Sequence, residues 1–129
     1  MAGTVEFQYD AENDVVINIS HWRVETEEDC EAWFKEYTDY LKPFGRKMDS
    51  ISVLYDLVVS SKIVGVWGEY RTNLVKNYYR FSWRVHFNSL VKIIVKSDSL
   101  KYNAASQDAD SIEGAIEGIK AARLAAGIV

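Results

Sequence analysis

The stretch ISVLYDLVV, residues 51–59, decides the fold of this chain. Only Ser52 and Asp56 interrupt its run of β-branched and large apolar side chains. A run that is apolar at both alternating sets of positions is typical of a strand covered on both faces, so it predicts the centre of a sheet. Helical patterns flank it at residues 26–41 and 69–85. Strands that alternate with helices predict an α/β fold with a largely parallel sheet.

The region before the central stretch predicts a hairpin and a helix. Apolar and polar residues alternate over 5–9 and 15–19, and the polar segment between them is turn-forming. Residues 20–23 are predicted to leave the second strand as a loop. Thr26 is the predicted N-cap of the first helix, with Asp29 closing a capping box. The buried stripe of this helix is predicted to consist of Cys30, Trp33, Phe34, Tyr37 and Leu41.

The region after the central stretch completes the expected element order. Residues 63–68 fit a loop or a short strand, and a helix is expected over 69–85. Residues 90–95 predict a strand and 100–105 a weaker one. The last helix is predicted to be capped by Asp108 or Asp110 and to face inward through Ile112, Ala115, Ile116 and Ile119.

These elements predict a fold class. We expect one domain over residues 1–129, an α/β sandwich with a mixed, largely parallel sheet of four to five strands. An N-terminal β-hairpin opens the sheet, and about three helices cover it.

Composition and charge limit the function. The 129 residues carry a net charge of −4, with −8 in residues 1–56 and +4 in residues 57–129. An acidic chain is not typical of a nucleic-acid binder, and no apolar run approaches the length of a membrane span. The single cysteine, Cys30, excludes an intramolecular disulfide. Together with a first segment that lacks a signal-peptide pattern, this predicts a cytoplasmic protein.

Three segments resemble the STAS superfamily, most of all its SpoIIAA-like branch of small bacterial proteins. They are the hairpin at 5–20, the sequence VLYDL at 53–57 and the sequence DSIEGAI at 110–116. The resemblance implies a sheet of four or five strands with helices on one side. It also implies a function in binding other proteins, as family members do with anti-sigma factors. The serine that the kinase partner phosphorylates in such members lies in an Asp-Ser-Ser-Gly motif, and the nearest match is VSSK at 59–62.

A basic and aromatic helix face is the predicted partner-binding surface. It consists of Lys76, Tyr79, Arg80, Trp83 and Arg84, which fall on the outer side of the expected second helix. Arginine and aromatic side chains supply most binding hot spots. The alternative is a solvated basic face whose aromatic residues lie at the edge of the core. A homodimer is expected in which the acidic first helix of one copy meets this face of the other.

A second group of residues predicts an anion-binding site. His21 and Arg23 precede a helix N-terminus, and Ser60 and Ser61 follow the central strand, where ligands bind in open α/β sheets. The alternative is that these four are solvated loop residues, with the serines bonded to nearby backbone groups.

Catalytic patterns do not appear in the sequence. There are two histidines, no metal-binding spacing and no phosphate-binding glycine loop at residues 65–68, and Cys30 falls on a predicted buried face. We therefore expect no enzyme and no cofactor. The first hypothesis is a STAS-like protein-interaction module. The alternatives are a small-anion or small-molecule binding domain and a regulator switched by phosphorylation of Ser60 or Ser61.

Overall fold

The computed structural model describes residues 3–85 and 107–128. In chain order the elements are β1 Gly3–Asp10, β2 Val15–Val24, α1 Glu27–Leu41, a 3-10 turn Lys42–Phe44, β3 Met48–Val53, β4 Leu57–Val59, α2 Val64–Asn77, β5 Tyr79–Val85, β6 Gln107–Ala109 and α3 Ile112–Ala125. The six strands form one sheet in the order β1-β2-β3-β5-β6, with β4 also paired to β2. Only β1 runs antiparallel to its neighbour. The predicted α/β class, mixed sheet, N-terminal hairpin and three helices are confirmed.

The stretch 51–59 forms two strands instead of one. β3 pairs in parallel with the first half of β2, and β4 pairs in parallel with its last three residues. Residues 54–56 form a turn between them, in which the Asp56 carbonyl accepts a 3.3 Å bond from Trp22 N–H. The single-strand prediction was wrong because Asp56 and the exposed Tyr55 form a turn inside the apolar run.

The predicted second helix is also divided. α2 begins at Val64, so residues 64–68 are helical, and it ends at Asn77. Residues 79–85 form β5, which runs parallel to β3. Residues four apart lie on one face of a helix, but they also share a face in a regular strand. The spacing of Arg80 and Arg84 therefore fitted both structures, and the aromatic and β-branched residues between 79 and 85 favoured the strand.

Helices cover both faces of the sheet. α1 and α2 lie over a cluster that includes Val16, Trp22 and Met48, and the predicted α1 stripe lies within or against it. α3 packs its buried Ala115 and Ile119 on the opposite face. This two-sided arrangement differs from the one-sided arrangement that the resemblance implies. Within the described residues, no helix has the length and apolar character needed to cross a membrane.

The predicted N-cap of α1 is correct, whereas the predicted N-cap of α3 is not. The Thr26 side chain accepts a 3.1 Å bond from Asp29 N–H, and the Asp29 carboxylate accepts one from Thr26 N–H, which confirms the capping box. α3 is capped by Ser111, whose hydroxyl accepts from Gly114 N–H at 3.0 Å. The predicted caps were wrong, since Asp108 lies in β6. The strands predicted at 90–95 and 100–105 lie outside the described residues.

A bulge in β5 turns its two arginines to opposite faces. The register moves by one residue between Met48 and Ser50 of β3, so Arg80 and Phe81 both lie opposite Asp49. The buried Asp49 carboxylate accepts from Arg80 at 2.9 and 2.5 Å and from Arg123 of α3 at 2.7 Å. This ion-pair cluster ties the end of α3 to β3 and β5.

Candidate functional site

A hydrogen-bonded polar row lies between the sheet and α1. Asn18, Ser20 and Ser50 are fully buried on the face that the helix covers. The Tyr37 hydroxyl lies 2.7 Å from Ser20 Oγ and donates to Asn18 Oδ1 at 2.8 Å, while Trp33 Nε1 donates to Ser20 Oγ at 3.2 Å. Asn18 in turn donates to Ser50 Oγ at 3.0 Å. Because its members satisfy one another, the row provides a well-ordered wall.

A small cavity lies between α2 and strands β3 and β5, with α1 at one side. Its volume is about 20 Å³, which is enough for one water molecule or one atom group of similar size. The lining residues are Trp33, Tyr37, Ser52, Leu54, Trp67, Arg71, Leu74, Val75, Tyr79, Ser82 and Arg84.

Two residues of this lining carry buried donors without an acceptor. Trp67 Nε1 and Arg84 Nη1 have no hydrogen-bond partner within the described parts of the chain. These residues are 1% and 4% exposed. The buried Tyr79 hydroxyl interacts with the Ser50 side chain, although the two groups do not form a hydrogen bond of good geometry. A buried donor left unsatisfied costs about 1–3 kcal/mol, so native proteins rarely retain two around one space without an acceptor there. The lining is therefore suited to an electron-rich ligand.

The Arg84 guanidinium brings positive charge to the cavity lining. Its Nε lies 2.9 Å from Oδ1 of Asp108 in β6, which forms an ion pair without the direction of a good hydrogen bond. Burial lowers the pKa of Arg84, and the nearby Asp108 carboxylate opposes that shift. Burial raises the pKa of Tyr79, while the hydrogen-bonding interaction with the Ser50 side chain and the positive charge of Arg71 act in the opposite direction. Tyr79 thus stays a neutral donor beside a cationic group.

The five predicted partner-binding residues do not share one surface. Lys76 is exposed near the end of α2, whereas Tyr79 and Arg84 line the cavity. Arg80 points to the other face and binds Asp49. Trp83 lies on that same face under α3. The outer helix face was a wrong expectation, because four of the residues belong to β5; a role in partner binding stays a prediction.

The predicted anion-binding residues lie in two places. His21 and Arg23 belong to β2 and not to a loop. The His21 ring nitrogens lie 2.7 Å from a Glu6 oxygen and 2.6 Å from an Asp56 oxygen. The bonds to Glu6 and Asp56 raise the pKa of His21. Both ring nitrogens are therefore engaged by carboxylates, which repel an anion. Arg23 is exposed.

Ser60 and Ser61 lie where β4 leads into α2. Ser60 N–H donates to the Val24 carbonyl at 2.8 Å, and Ile63 N–H donates to the Ser60 carbonyl at 3.1 Å. Ile63 is the N-cap of α2 and provides no side-chain cap. The serines thus precede an uncapped helix start, and phosphorylation at either one stays a prediction.

Among the described residues, Cys30 is buried and no metal-binding cluster is found. Cys30 is buried in α1, and burial raises the pKa of its thiol to about 11. A thiol with such a pKa is a poor nucleophile at neutral pH. Within residues 3–85 and 107–128, no cluster of three or more His, Cys, Asp or Glu side chains is placed to hold a metal ion.

The sequence contained a partial signal for the cavity. Ser50 and Ser52 of β3 and Ser82 and Arg84 of β5 repeat at every second position, which marks one strand face as polar. The helix interpretation of β5 concealed this pattern. Trp67 and Arg71 were missed because a lone aromatic residue and a lone arginine on a helix are ordinary core and surface residues.

Comparison with known proteins gives no independent assignment. No protein-family model matches the chain, and no curated protein matches it in sequence. The geometry of the described residues is therefore the basis for a functional argument.

Proposed function

We propose that the chain is a non-catalytic binding domain that takes a small anion, of the size of a carboxylate group, in the cavity beneath α2. The proposal rests on one observation. Trp67 and Arg84 each carry a buried donor without a described acceptor and line the same space, together with the Tyr79 hydroxyl. Hydrogen bonds from such donors to a charged acceptor are roughly twice as strong as neutral ones.

An anion fits this lining better than water does. A water molecule accepts two hydrogen bonds, whereas a carboxylate offers about four acceptor positions. The Arg84 guanidinium also lacks full compensation, because its Asp108 partner is 36% exposed and shares its charge with solvent. The negative charge of a bound anion would offset the positive charge of Arg84 at short range, because charges interact strongly in surroundings of low polarity.

The size of the cavity restricts the ligand. A volume of about 20 Å³ excludes a nucleotide or a fatty acid unless α2 moves. Formate is the carboxylate closest to this size, and acetate or the carboxylate end of a longer molecule requires a small outward movement of α2. The STAS-like resemblance is compatible with this role, since it implies a domain that binds and does not catalyse.

A thermal-shift series with anions tests the proposal. Sodium formate, acetate, phosphate and chloride are compared at equal ionic strength, because any ligand that binds only the native state raises its stability. We expect a saturable rise in Tm with formate or acetate. At one hundred times the Kd the gain in free energy of unfolding is about 2.7 kcal/mol. A Tm that no anion changes contradicts the proposal.

The variant Tyr79→Phe separates a ligand site from a merely irregular core. Removing the Tyr79 hydroxyl takes away one donor of the cavity and its interaction with Ser50, so it is expected to change stability without ligand by no more than about 1 kcal/mol and to reduce the anion-induced shift. The matched control is Tyr70→Phe, a change of the same kind on α2, because Tyr70 does not line the cavity. Equal anion-induced shifts in Tyr79→Phe and in the wild type would refute the role of this cavity.

The remaining hypotheses stay predictions. A protein-interaction module no longer has a shared basic helix face as its support, since Arg80 and Arg84 are both held in intramolecular ion pairs. A homodimer is tested by light scattering over a concentration series at low salt. Mass spectrometry of the protein from its native host tests phosphorylation of Ser60 and Ser61.

A further inference from the structure

Among the described strands, β1 lies at one edge of the sheet. Its eight residues, Gly3–Asp10, pair with β2 on one side only, and none of the other described strands lies on the opposite side. The outer N–H and C=O groups of such an edge are a template for a further strand. Edge strands of this kind bind extended peptides in several protein families.

An acidic groove runs beside this edge. It has a volume of about 570 Å³ and lies between α1 and the start of β1. The α1 side carries four carboxylates, Glu28, Asp29, Glu36 and Asp39, and one cation, Lys35. Lys35 is bound to Asp39 at 2.5 Å, and Asp29 accepts from the backbone at the helix start. Glu28 and Glu36 remain without an ion pair or hydrogen bond to any described residue.

The spacing of these two free carboxylates matches a strand. Glu28 and Glu36 are eight residues apart on one helix, which is a separation of about 12 Å along its axis. Two side chains four residues apart on an extended strand are about 13 Å apart and point to the same side. Glu36 is turned by about 80° from Glu28 around the helix axis, so lysines at positions i and i+4 of an added strand match the axial spacing and reach the two glutamates through their long, flexible side chains.

A buried donor in the same groove lacks its acceptor. Trp22 lines the groove and is 6% exposed, and its Nε1 has no hydrogen-bond partner in the described structure. Gly3 pairs with Trp22 across the strands, and a Cβ at Gly3 would lie 2.8 Å from Trp22 Cγ. The absence of a side chain at Gly3 thus lets the indole of Trp22 pack directly on the β1 backbone. A peptide carbonyl is the acceptor that an added strand would supply.

We propose that this groove and the edge of β1 bind an extended basic peptide segment of a partner protein, which adds a strand to the sheet beside β1. This inference is independent of the anion cavity. A second copy of the chain is a poorer occupant, because antiparallel pairing of two β1 strands would bring two acidic α1 helices together on one face of the sheet. Nucleic acid is repelled by the same carboxylates.

Fluorescence anisotropy with a defined peptide tests the proposal. The probe is a fluorescein-labelled peptide of alternating lysine and valine, seven residues long, and the same peptide with glutamate in place of lysine is the charge control. We expect saturable binding of the lysine peptide that weakens as salt is raised, and no binding of the glutamate peptide. Absence of binding at low salt overturns the proposal.

Two double variants of the protein test how much the groove carboxylates contribute to peptide binding. The double substitution Glu28→Gln and Glu36→Gln is expected to weaken binding about fivefold, since exposed ion pairs contribute modestly each. The matched control changes Glu113 and Glu117 of α3 to Gln, which alters net charge equally at a distant helix, and it should bind as the wild type does. Equal binding by the two double variants would refute the groove.

Backbone pairing is tested on the peptide. Methylation of alternate peptide nitrogens removes the donors that would pair with β1 and leaves the charge unchanged. We expect binding about tenfold weaker, because several main-chain hydrogen bonds are lost. A methylated peptide that binds as tightly as the unmodified one would show attraction by charge alone, and would overturn strand addition.

Discussion

Replacing Asp49 by Asn removes the charge at the centre of the ion-pair cluster between β3, β5 and α3. The Asp49 side chain is fully buried and accepts from Arg80, from Arg123 and from Phe81 N–H. An Asn side chain has nearly the same volume, so the change tests charge and not packing. Its amide NH₂ would also face a guanidinium, which places two donors against each other.

The expected loss of stability depends on the interactions that Arg80 and Arg123 keep after the substitution. Removing one partner of a buried ion pair costs about 3–5 kcal/mol. Arg80 is 34% exposed and can regain water, and Arg123 keeps its bonds to the Asn13 and Asp14 carbonyls at 2.9 Å. We therefore expect a loss near the lower end, about 3 kcal/mol, against a total stability of roughly 5–15 kcal/mol for a domain.

Urea denaturation measures this loss. At an m-value of about 1–3 kcal/mol/M, the midpoint for Asp49→Asn should fall by roughly 1–3 M. The matched control is Asp14→Asn, since Asp14 forms an ion pair with Arg46 at the surface, and such pairs contribute at most about 1 kcal/mol. A loss below 1 kcal/mol in Asp49→Asn, or one no larger than in the control, would refute the reasoning.

The same cluster has a defined pH dependence. Burial alone would raise the pKa of Asp49, but hydrogen bonds from Arg80 and Arg123 outweigh burial and hold the pKa below its usual value. A depressed folded-state pKa means that the contribution is complete above about pH 4 and is lost as pH falls through the folded value. The stability difference between wild type and Asp49→Asn should therefore narrow below pH 4.

Three further predictions concern separate elements. Gly118→Ala places a Cβ 2.3 Å from the Trp83 ring and should lower Tm through overpacking, whereas Gly65→Ala has nothing within 4 Å and should raise stability by up to about 1 kcal/mol. Thr26→Ala removes the α1 cap and should cost about 1 kcal/mol in urea denaturation. An NMR titration of His21 should give a pKa above 6.5, and its contribution to stability, present below that value, should disappear as pH rises through the folded pKa. A His21 pKa at or below 6.5 contradicts the bonds to its two carboxylate partners.

The parts of the fold that could be predicted are those whose signals are local. Apolar and polar residues alternate over both strands of the hairpin, and α1 carries a capping box and an apolar stripe. Each of these elements can therefore be predicted from its own residues. β3 and β4 could not be separated, because a turn at residues 54–56 interrupts the run only through Asp56 and its tertiary bonds. The residues of β5 have a spacing that fits two structures, and the parallel neighbour β3 decides between them.

The candidate cavity was only partly accessible to sequence reasoning. Tyr79 and Arg84 were singled out as arginine and aromatic residues, and the structure places both at the cavity. Their common orientation depends on the bulge opposite Asp49, which shifts the alternation by one residue and turns Arg80 away. A bulge arises from pairing between strands distant in sequence, so local patterns do not reveal it. Trp67 reaches the same space only through the packing of α2.

The shared edge of β2 has a consequence for how the domain is assembled during synthesis. β2 is flanked by β1 on one side, while its other side is divided between β3 and β4. A nascent chain that ends before Leu57 therefore leaves the last three residues of β2 unpaired along that side. A fragment shortened by β4 alone would expose the strand end that carries Trp22 and Val24.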